Sequence, residues 1–379
     1  MKILHTSDWH LGRQFHNASL ISEQAAVLEQ FVKVIEEHDI DVVVLAGDVY
    51  DRAIPPTAAI SLLNEVVDKI CRQLSVPMII IPGNHDSAVR LGFGAKAMQV
   101  SGLHIISSLD SFTTPVTLSD TFGEIDFYTI PYVDPEHVRA YFNNDVRTHE
   151  EIYRFLIQAL DEVRETNRRA VLVAHCFVDG GEESDSERPL SIGGSDRVSA
   201  DVFKGFDYVA LGHLHQAQFK SFEHVRYAGS LLKYSFSEQN QNKSCTLVEL
   251  QEKGTFDYQL LPLKAEKDVR VIEGTIAEIV EQGKLDEHRQ DFILARLLDK
   301  SAILSPMEKL RSVYPNTLHI EKPGMLVEWE QSAVRRLETR NELSMFADFF
   351  EQVQQHPLSD DQQAALSKIV GVTRREEDS

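Results

Sequence analysis

Cysteine is nearly absent from this chain: Cys71, Cys176 and Cys245 are the three among 379 residues. They are too scattered for a disulfide framework and form no C-x-x-C pair, which argues against a thiolate zinc site and for a reducing compartment. Cys176 directly follows His175, yet a small buried residue near a strand end is a better reading than a ligand. Long apolar runs are missing too. Nothing approaches the ~20 residues that a membrane-spanning helix needs, and the opening MKILHTSDWH lacks the layout of a secretory signal. The expectation is a soluble, cytoplasmic protein with no membrane segment. Positive charge is also short: 38 Lys and Arg stand against 59 Asp and Glu, a net charge of −21. That excludes nucleic-acid binding by bulk attraction, which relies on clustered Lys and Arg, but leaves room for a local basic stripe or a partner. There is no Walker motif, no internal repeat and no lipidation signal.

What is present is a regular alternation of strands and helices. With 42% hydrophobic residues the chain can build a full core. VVVLA (42–46), MIIIP (78–82), AVLVA (170–174) and YVALG (208–212) are short and apolar, the mark of buried strands. Helical stripes lie between them: Ile21, Ala25, Leu28, Val32 and Ile35; Ile60, Leu63, Val67, Ile70 and Leu74; and Ile152, Phe155, Ala159, Leu160 and Val163. Runs at 225–229, 245–250 and 258–263 follow without long helices and suggest a second, largely antiparallel portion packed on the first. The expected fold class is α/β, an α/β sandwich rather than a simple dinucleotide-binding fold. The polar stretch at 182–197 reads as a long mobile loop. After a charged linker near Lys264–Lys267 comes a small α+β unit, with strands near 269–275, 290–298 and 316–321. Beyond about Glu328 the chain turns polar and then forms two short helices. The first carries the stripe Phe346, Phe349, Phe350 and Val353; the second starts with a Ser359/Gln362 capping box and is expected to end at Gly371.

Five strand-like runs end in residues of the kinds that bind metals. ILHTSDWH supplies Asp8 and His10, VVVLAGD supplies Asp48, IIIPGNHD supplies Asn84, His85 and Asp86, AVLVAH supplies His175, and YVALGHLH supplies His213 and His215. Ligands in α/β sheets sit outside the carboxyl ends of the strands, so these endings would converge on one rim. Mixed imidazole, carboxylate and amide donors suit Mn²⁺, Fe²⁺ or Zn²⁺. Two Asp, one Asn and at least four His make seven donors, too many for one ion with an open position but suited to two ions sharing a carboxylate. Each motif alone is weak, and Asp48 could be a turn residue. Repetition on five strands, in a chain with 15 His, gives the signal its strength.

In order, D-x-H, G-D-x-x-D, G-N-H-D, a strand-end His and G-H-x-H resemble the calcineurin-like metallophosphoesterases. Within them the chain is similar to the SbcD family of bacterial nuclease subunits, through KILHTSDWHLGR, AGDVYDRAIPP, PGNHDS, ALGHLHQAQ and VRYAGSLLKYSFSE. The resemblance is detailed from Met1 to about residue 265 and follows the layout beyond. It implies an α/β/β/α sandwich nuclease domain over 1–265, a capping domain over 266–327, and a linker with a helical pair over 328–379. It also implies that Asp8, His10, Asp48 and His215 hold one metal, and Asp48, Asn84, His175 and His213 the other, both Mn²⁺. His85 would assist the leaving oxygen of a phosphodiester attacked by water. Asp51 is expected to accept a hydrogen bond from His85, and Gly83 to allow the tight turn that presents Asn84. Asp86 is expected to cap the next helix or to support the ligands.

The metal core by itself says only phosphoester hydrolysis, and GDVYDR echoes the protein phosphatases. Asp86 stands where that block has Glu, and Ala53 where it expects Gly. A phosphatase also has no evident use for the unit at 268–325. The resemblance implies exonuclease action on duplex DNA and endonuclease action on single strands and hairpins, in repair and recombination. It implies work with an SMC-like ATPase of the SbcC type docked on the C-terminal helices, which the aromatic stripe would serve. A homodimer within a heterotetramer would form through helices at about 57–74 and 87–100. DNA would meet Arg13, Arg52, Arg90 and Arg197. The alternatives are a phosphatase or phosphodiesterase for a protein or small-molecule phosphoester, and a non-catalytic scaffold. Scaffolds of this kind usually lose ligands, and all seven are here.

Overall fold

The computed structural model describes residues 1–190 and 196–323, together with 343, 346, 347, 349, 350, 353 and 356–377. Most of the expected polar linker from 328, the middle of the 182–197 loop and the last residues of the expected capping domain lie outside the described residues. The chain divides into two compact units, Met1–Asp268 and Val269–Ser379.

In the first unit the main strands are β1 (Lys2–Thr6), β2 (Val42–Ala46), β3 (Met78–Ile81), β4 (Leu103–Ile105), β5 (Val116–Asp120), β6 (Gly123–Ile130), β7 (Arg169–His175), β8 (Tyr208–Gly212), β9 (Gln218–Phe219), β10 (Val225–Tyr227), β11 (Ser244–Leu250) and β12 (Phe256–Pro262). The longer helices are α1 (Ile21–Glu37), α2 (Thr57–Val67), α3 (Pro135–Phe142) and α4 (His149–Val163). Two six-stranded sheets result, in the orders β12-β11-β1-β2-β3-β4 and β9-β10-β8-β7-β6-β5. β1 to β4 run parallel, as do β6, β7, β8 and β10.

The sheets share a core of Ile3, Val42, Val44, Ile79, Ile81, Phe127, Val171, Val173, Tyr208 and Val248, all fully buried. Strands buried on both faces have no polar side to present, which is why they read as unbroken apolar runs. Ile152, Tyr153, Leu156, Ile157 and Leu160 of α4 pack on the other face of the second sheet. On α1 the buried set includes Gln24, Val27, Leu28, Phe31 and Ile35, and Phe31 lies edge-on to the buried Trp9. The architecture is the α/β/β/α sandwich.

In the first unit the structure departs from the sequence expectations in its strand pairing and in its helices. The late strands are not a separate antiparallel portion: β10 pairs parallel with β8, while β11 and β12 extend the first sheet antiparallel beside β1. The buried helix stripes are rotated by about one position. Ile60 and Val163 are 48% and 58% exposed, whereas Ala59, Leu63, Val66 and Ile70 face in. α2 gives way to a π-helical turn over Asp68–Gln73, and the expected helix at 87–100 is two single turns, Ala88–Leu91 and Ala95–Met98.

The second unit contains β13 (Val269–Gly274), α5 (Ile276–Gly283), β14 (Phe292–Leu297), α6 (Pro306–Arg311) and β15 (Thr317–Glu321), with the three strands parallel and in sequence order. Ile279, Ile293, Ala295, Leu297, Leu310 and Tyr314 form its core. Further on, α7 (Asp360–Glu377) opens with the expected capping box, Gln362 N donating to Ser359 Oγ and Ser359 N to Gln362 Oε1. It does not stop at Gly371, which lies inside it. Among the described residues, no helix is long and apolar enough to cross a membrane.

Candidate metal centre

β1, β2 and β3 stand side by side in one sheet, β7 and β8 in the other, and the functional motifs follow or close their carboxyl ends. The loops leaving them are stitched together. Asp8 N donates to Gly47 O at 3.0 Å, and His10 N to Asp48 O at 2.9 Å. Across the sandwich, His213 N donates to both Asp8 carboxylate oxygens at 3.1 Å.

The side chains then meet. Ligand atoms of Asp8, His10 and His215 lie within 4.8 Å of one another; so do those of Asp8, Asp48 and His175, and those of His10, Asp51 and His85. Asp48 Oδ2 is 3.6 Å from His10 Nε2 and 3.6 Å from His175 Nε2. His10 Nε2 and His215 Nε2 are 3.1 Å apart, and His175 Nε2 is 3.0 Å from Asn84 Oδ1. Donors sharing one ion at ligand distances of about 2.0–2.2 Å are themselves separated by about 3.0–3.5 Å. These spacings lie in or close to that range, with Asp48 beside both His10 and His175, and with Asp8 grouped both with His10 and His215 and with Asp48 and His175. His213 joins none of the three groups; its ring lies edge-on to His175 with centroids 5.5 Å apart.

The donors fit divalent ions. His10 Nδ1 is buried without a hydrogen bond, 3.8 Å from Asp51 Oδ1, while its Nε2 is the nitrogen that faces His215 and Asp48. Burial and the Asp48 charge push the Asp8 carboxyl well above its usual range, and burial pushes His10 and His213 well below theirs. Two carboxylates in a dry setting repel, and a cation offsets that cost. Cys176, next to His175, is fully buried and its thiol is pushed up to about 12, as befits a packing residue.

His85 does not meet the Asp51 carboxylate as expected. Its Nδ1 is 2.8 Å from the Asp51 main-chain carbonyl, which fixes the tautomer and leaves Nε2 open, 4.0 Å from Asp48 Oδ2. The Asp51 carboxylate accepts instead from Arg13 Nη1 at 3.2 Å. Arg13 also donates to Ser186 O and lies over the Tyr234 ring, so it is committed within the protein. Arg52, Arg90 and Arg197 are exposed, although Arg90 donates to Ala53 O and Arg197 to Asp179. Gly83 is needed for space rather than for a special turn: a Cβ there would collide with the Asp48 carboxylate and amide. Asp86 accepts from Gly83 N, Val49 N and Tyr50 N, tying the second motif to the third; Ser87, not Asp86, caps the next helix.

Several supporting residues were not anticipated. Gln24, buried on α1, holds the first motif by donating to the Trp9 and His10 carbonyls and accepting from Gly12 N. Residues 184–187 are docked rather than free: Ser186 Oγ lies 2.5 Å from His215 Nδ1, and Glu187 accepts from His215 N at 2.8 Å. Behind them sit Glu238 and Lys243, paired at 2.6 Å. Of the two, Glu238 closes the VRYAGSLLKYSFSE block and Lys243 lies five residues beyond it.

Residues 1–217 match the family described as calcineurin-like phosphoesterase, and residues 266–354 match the type 5 capsule protein repressor C-terminal domain. Among curated proteins, the SbcD subunit of the SbcCD nuclease of Staphylococcus saprophyticus is 33% identical over 375 residues, covering 98% of each chain. Among solved structures, a dimetal phosphatase from Danio rerio is 12% identical over 70% of this chain and 99% of its own, with a TM-score of 0.42. The Plasmodium inner-membrane-complex anchor GAP50 is 10% identical over 85% and 96%, also at 0.42.

Proposed function

Since the chain belongs to the calcineurin-like phosphoesterase family, as a metal-dependent DNA nuclease of the SbcD kind, we propose how its residues divide the work. Asp8, His10, Asp48 and His215 hold one Mn²⁺, and Asp48, Asn84, His175 and His213 the other. The observation that supports this reading most is the equal 3.6 Å separation of Asp48 Oδ2 from His10 Nε2 and His175 Nε2, the position of a shared ligand. When bound, the ions would neutralise phosphoryl charge and activate water for attack on a phosphodiester. His85, anchored by its Nδ1–H on the Asp51 carbonyl, turns Nε2 toward Asp48 and, as the imidazolium with a second proton on Nε2, passes that proton to the departing sugar oxygen and is left neutral. Asp51 acts on His85 through its carbonyl and orients Arg13 through its carboxylate.

The substrates are linear duplex DNA, cut exonucleolytically, and single strands or hairpins, cut endonucleolytically, in the cytoplasm. Arg52, Arg90 and Arg197 meet the DNA backbone, a role their exposure supports. The second unit serves as a cap for the substrate, and an SMC-like ATPase docks on the C-terminal helices. Phe346 and Phe349 support that docking, being 46% and 56% exposed. A homodimer is supported by Ile60, Val89, Phe93 and Val100, large apolar side chains in the two expected segments that face solvent.

The test is Mn²⁺-dependent cleavage of linear duplex and hairpin DNA beside a phosphopeptide, with wild type and His85→Ala. DNA cleavage lost in His85→Ala is expected; a preference for the phosphopeptide would move the assignment to a phosphatase. Phe346→Asp with Phe349→Asp should abolish co-purification of the ATPase while leaving Mn²⁺-dependent cleavage by the isolated chain intact.

A further inference from the structure

The geometry points to Ser186 as a positioning residue for His215, acting as the middle link of a hydrogen-bonded relay that ends on Glu238. The inference rests on the reading of His215 as a metal ligand.

A serine hydroxyl has one proton to give. Ser186 Oγ touches His215 Nδ1 at 2.5 Å, Ser184 Oγ at 2.9 Å and, closest of all, Glu238 Oε1. Ser184 commits its own proton to carboxylates, chiefly Glu187 Oε2 at 2.5 Å. Glu238, fully buried and paired with Lys243 Nζ at 2.6 Å, can only accept. The Ser186 proton therefore points to Glu238, and Ser186 Oγ is left to accept. His215 must then carry its hydrogen on Nδ1. That leaves a lone pair on Nε2, the nitrogen that faces His10 Nε2 at 3.1 Å.

His175 gets the same result by a simpler route, since its Nδ1 is 2.9 Å from the Ala46 carbonyl of the facing sheet. His215 lies beyond the end of β8, and a side chain from the 184–187 stretch fills that role instead. The same stretch fixes the main chain of His215: Glu187 Oε1 accepts from its N–H at 2.8 Å, while Lys243 Nζ donates to its carbonyl at 2.8 Å. The imidazole is thus held at its ring and on both sides of its backbone. The tautomer and the ring plane are set before any ion arrives, which is the usual task of groups placed behind a ligating histidine.

Two measurements on the full-length chain test this. The first is Mn²⁺ titration calorimetry of wild type, Ser186→Ala and Ser186→Thr. Wild type is expected to bind two ions, Ser186→Ala to bind one of them roughly 10–100-fold more weakly, and Ser186→Thr, which keeps the hydroxyl, to recover. The second is ¹⁵N NMR of the His215 ring in the metal-free chain: Nδ1–H in wild type and Ser186→Thr, a mixed or Nε2–H form in Ser186→Ala. Ser186→Ala that binds both ions as tightly as wild type and keeps Nδ1–H overturns the relay. A wild type that binds no Mn²⁺ overturns the metal reading instead, and the ring tautomer alone then decides the relay.

Discussion

Asp120 offers the sharpest quantitative test of how the sandwich is held together. It ends β5 in the second sheet, and its carboxylate takes both Arg169, at the start of β7, and the Met1 amino group at 2.6 Å, just before β1 of the first sheet. Arg169 also donates to the carbonyls of Gly123 at 2.7 Å and Gln251 at 2.8 Å, so one cluster joins both sheets. Arg169 is 3% exposed and Asp120 13%. Asp120→Asn removes the charge that balances a buried guanidinium. Breaking such a pair costs about 3–5 kcal/mol. Arg169 keeps its carbonyl partners, so the lower end, about 3 kcal/mol, is the expectation.

For a unit of this size, about 3 kcal/mol corresponds to a melting point lower by roughly 5–6 °C. The pH dependence follows from the direction of the shift. Burial alone would raise the Asp120 carboxyl, but Arg169 and the terminal amine hold it well below the usual range. A depressed carboxyl contributes stability that is complete above the unfolded value, about 3.9, and is lost as pH falls through the folded one. The deficit of Asp120→Asn should therefore be equal at pH 7 and pH 5 and shrink below about pH 4. Mn²⁺ affinity should not change, since Arg169 and His175 stand at opposite ends of β7, about 20 Å apart at strand spacing. Calorimetric melting at several pH values, with an Mn²⁺ titration, measures all of this. A loss under about 1 kcal/mol at pH 7, or a deficit that widens on acidification, would refute the reasoning.

Other outcomes are expected around the site. Gly83→Ala should abolish tight Mn²⁺ binding, because the new methyl group meets the Asp48 carboxylate and amide; calorimetry showing two unaltered sites would contradict this. His85→Ala should keep both ions and lower kcat by about 10²–10⁴-fold. Asp51→Asn should cost far less, since the carbonyl that holds His85 survives the change; a loss as large as that of His85→Ala would return the interaction to the carboxylate. Trp9→Ala removes a fully buried indole that packs on Phe31 and donates to Thr6 Oγ1, and denaturant unfolding should show a loss of about 3–5 kcal/mol.

The strand framework was legible because burial on both faces leaves an unmistakable apolar run, and because each run stops at a polar motif. What joins those runs was not. β10 and β8 are neighbours in the same sheet, and β11 returns to set Glu249 beside Lys2; such pairings are decided by non-local contacts that no local window contains. Helix faces came out one position off because apolar residues flank the true stripe: on α1, Val32 is apolar like Phe31, but Phe31 is the one that meets Trp9. At the site the limit is different. Asp51 was visible as a residue type, but a sequence does not say whether carbonyl or carboxylate faces a neighbour. Gln24, Ser186, Glu187 and Lys243 are ordinary polar residues until the fold sets them against His10 and His215.

One property of the site belongs to no single residue. Asp8, His10, Asp48 and His213 all adopt positive φ, at 53°, 44°, 49° and 113°. For a side chain with a Cβ, the left-handed region costs about 1–2 kcal/mol per residue, though Asp and His tolerate it better than most. Bonds between motifs hold these residues in place. Asp8 N donates to Gly47 O, His10 N to Asp48 O, His85 N to Asp48 Oδ1 at 2.9 Å, and His213 N to the Asp8 carboxylate. The strain is carried by loops that brace one another across two sheets, which is why the donors sit within a few residues of rigid strand ends. It follows that loosening one loop should disturb donors on the others. Gly83→Ala acts on Asp48, and through Asp48 on His10, so its damage should reach both proposed ion sites and not only the one assigned to Asn84. A titration in which one Mn²⁺ is lost and the other binds as in wild type would show that the loops act independently.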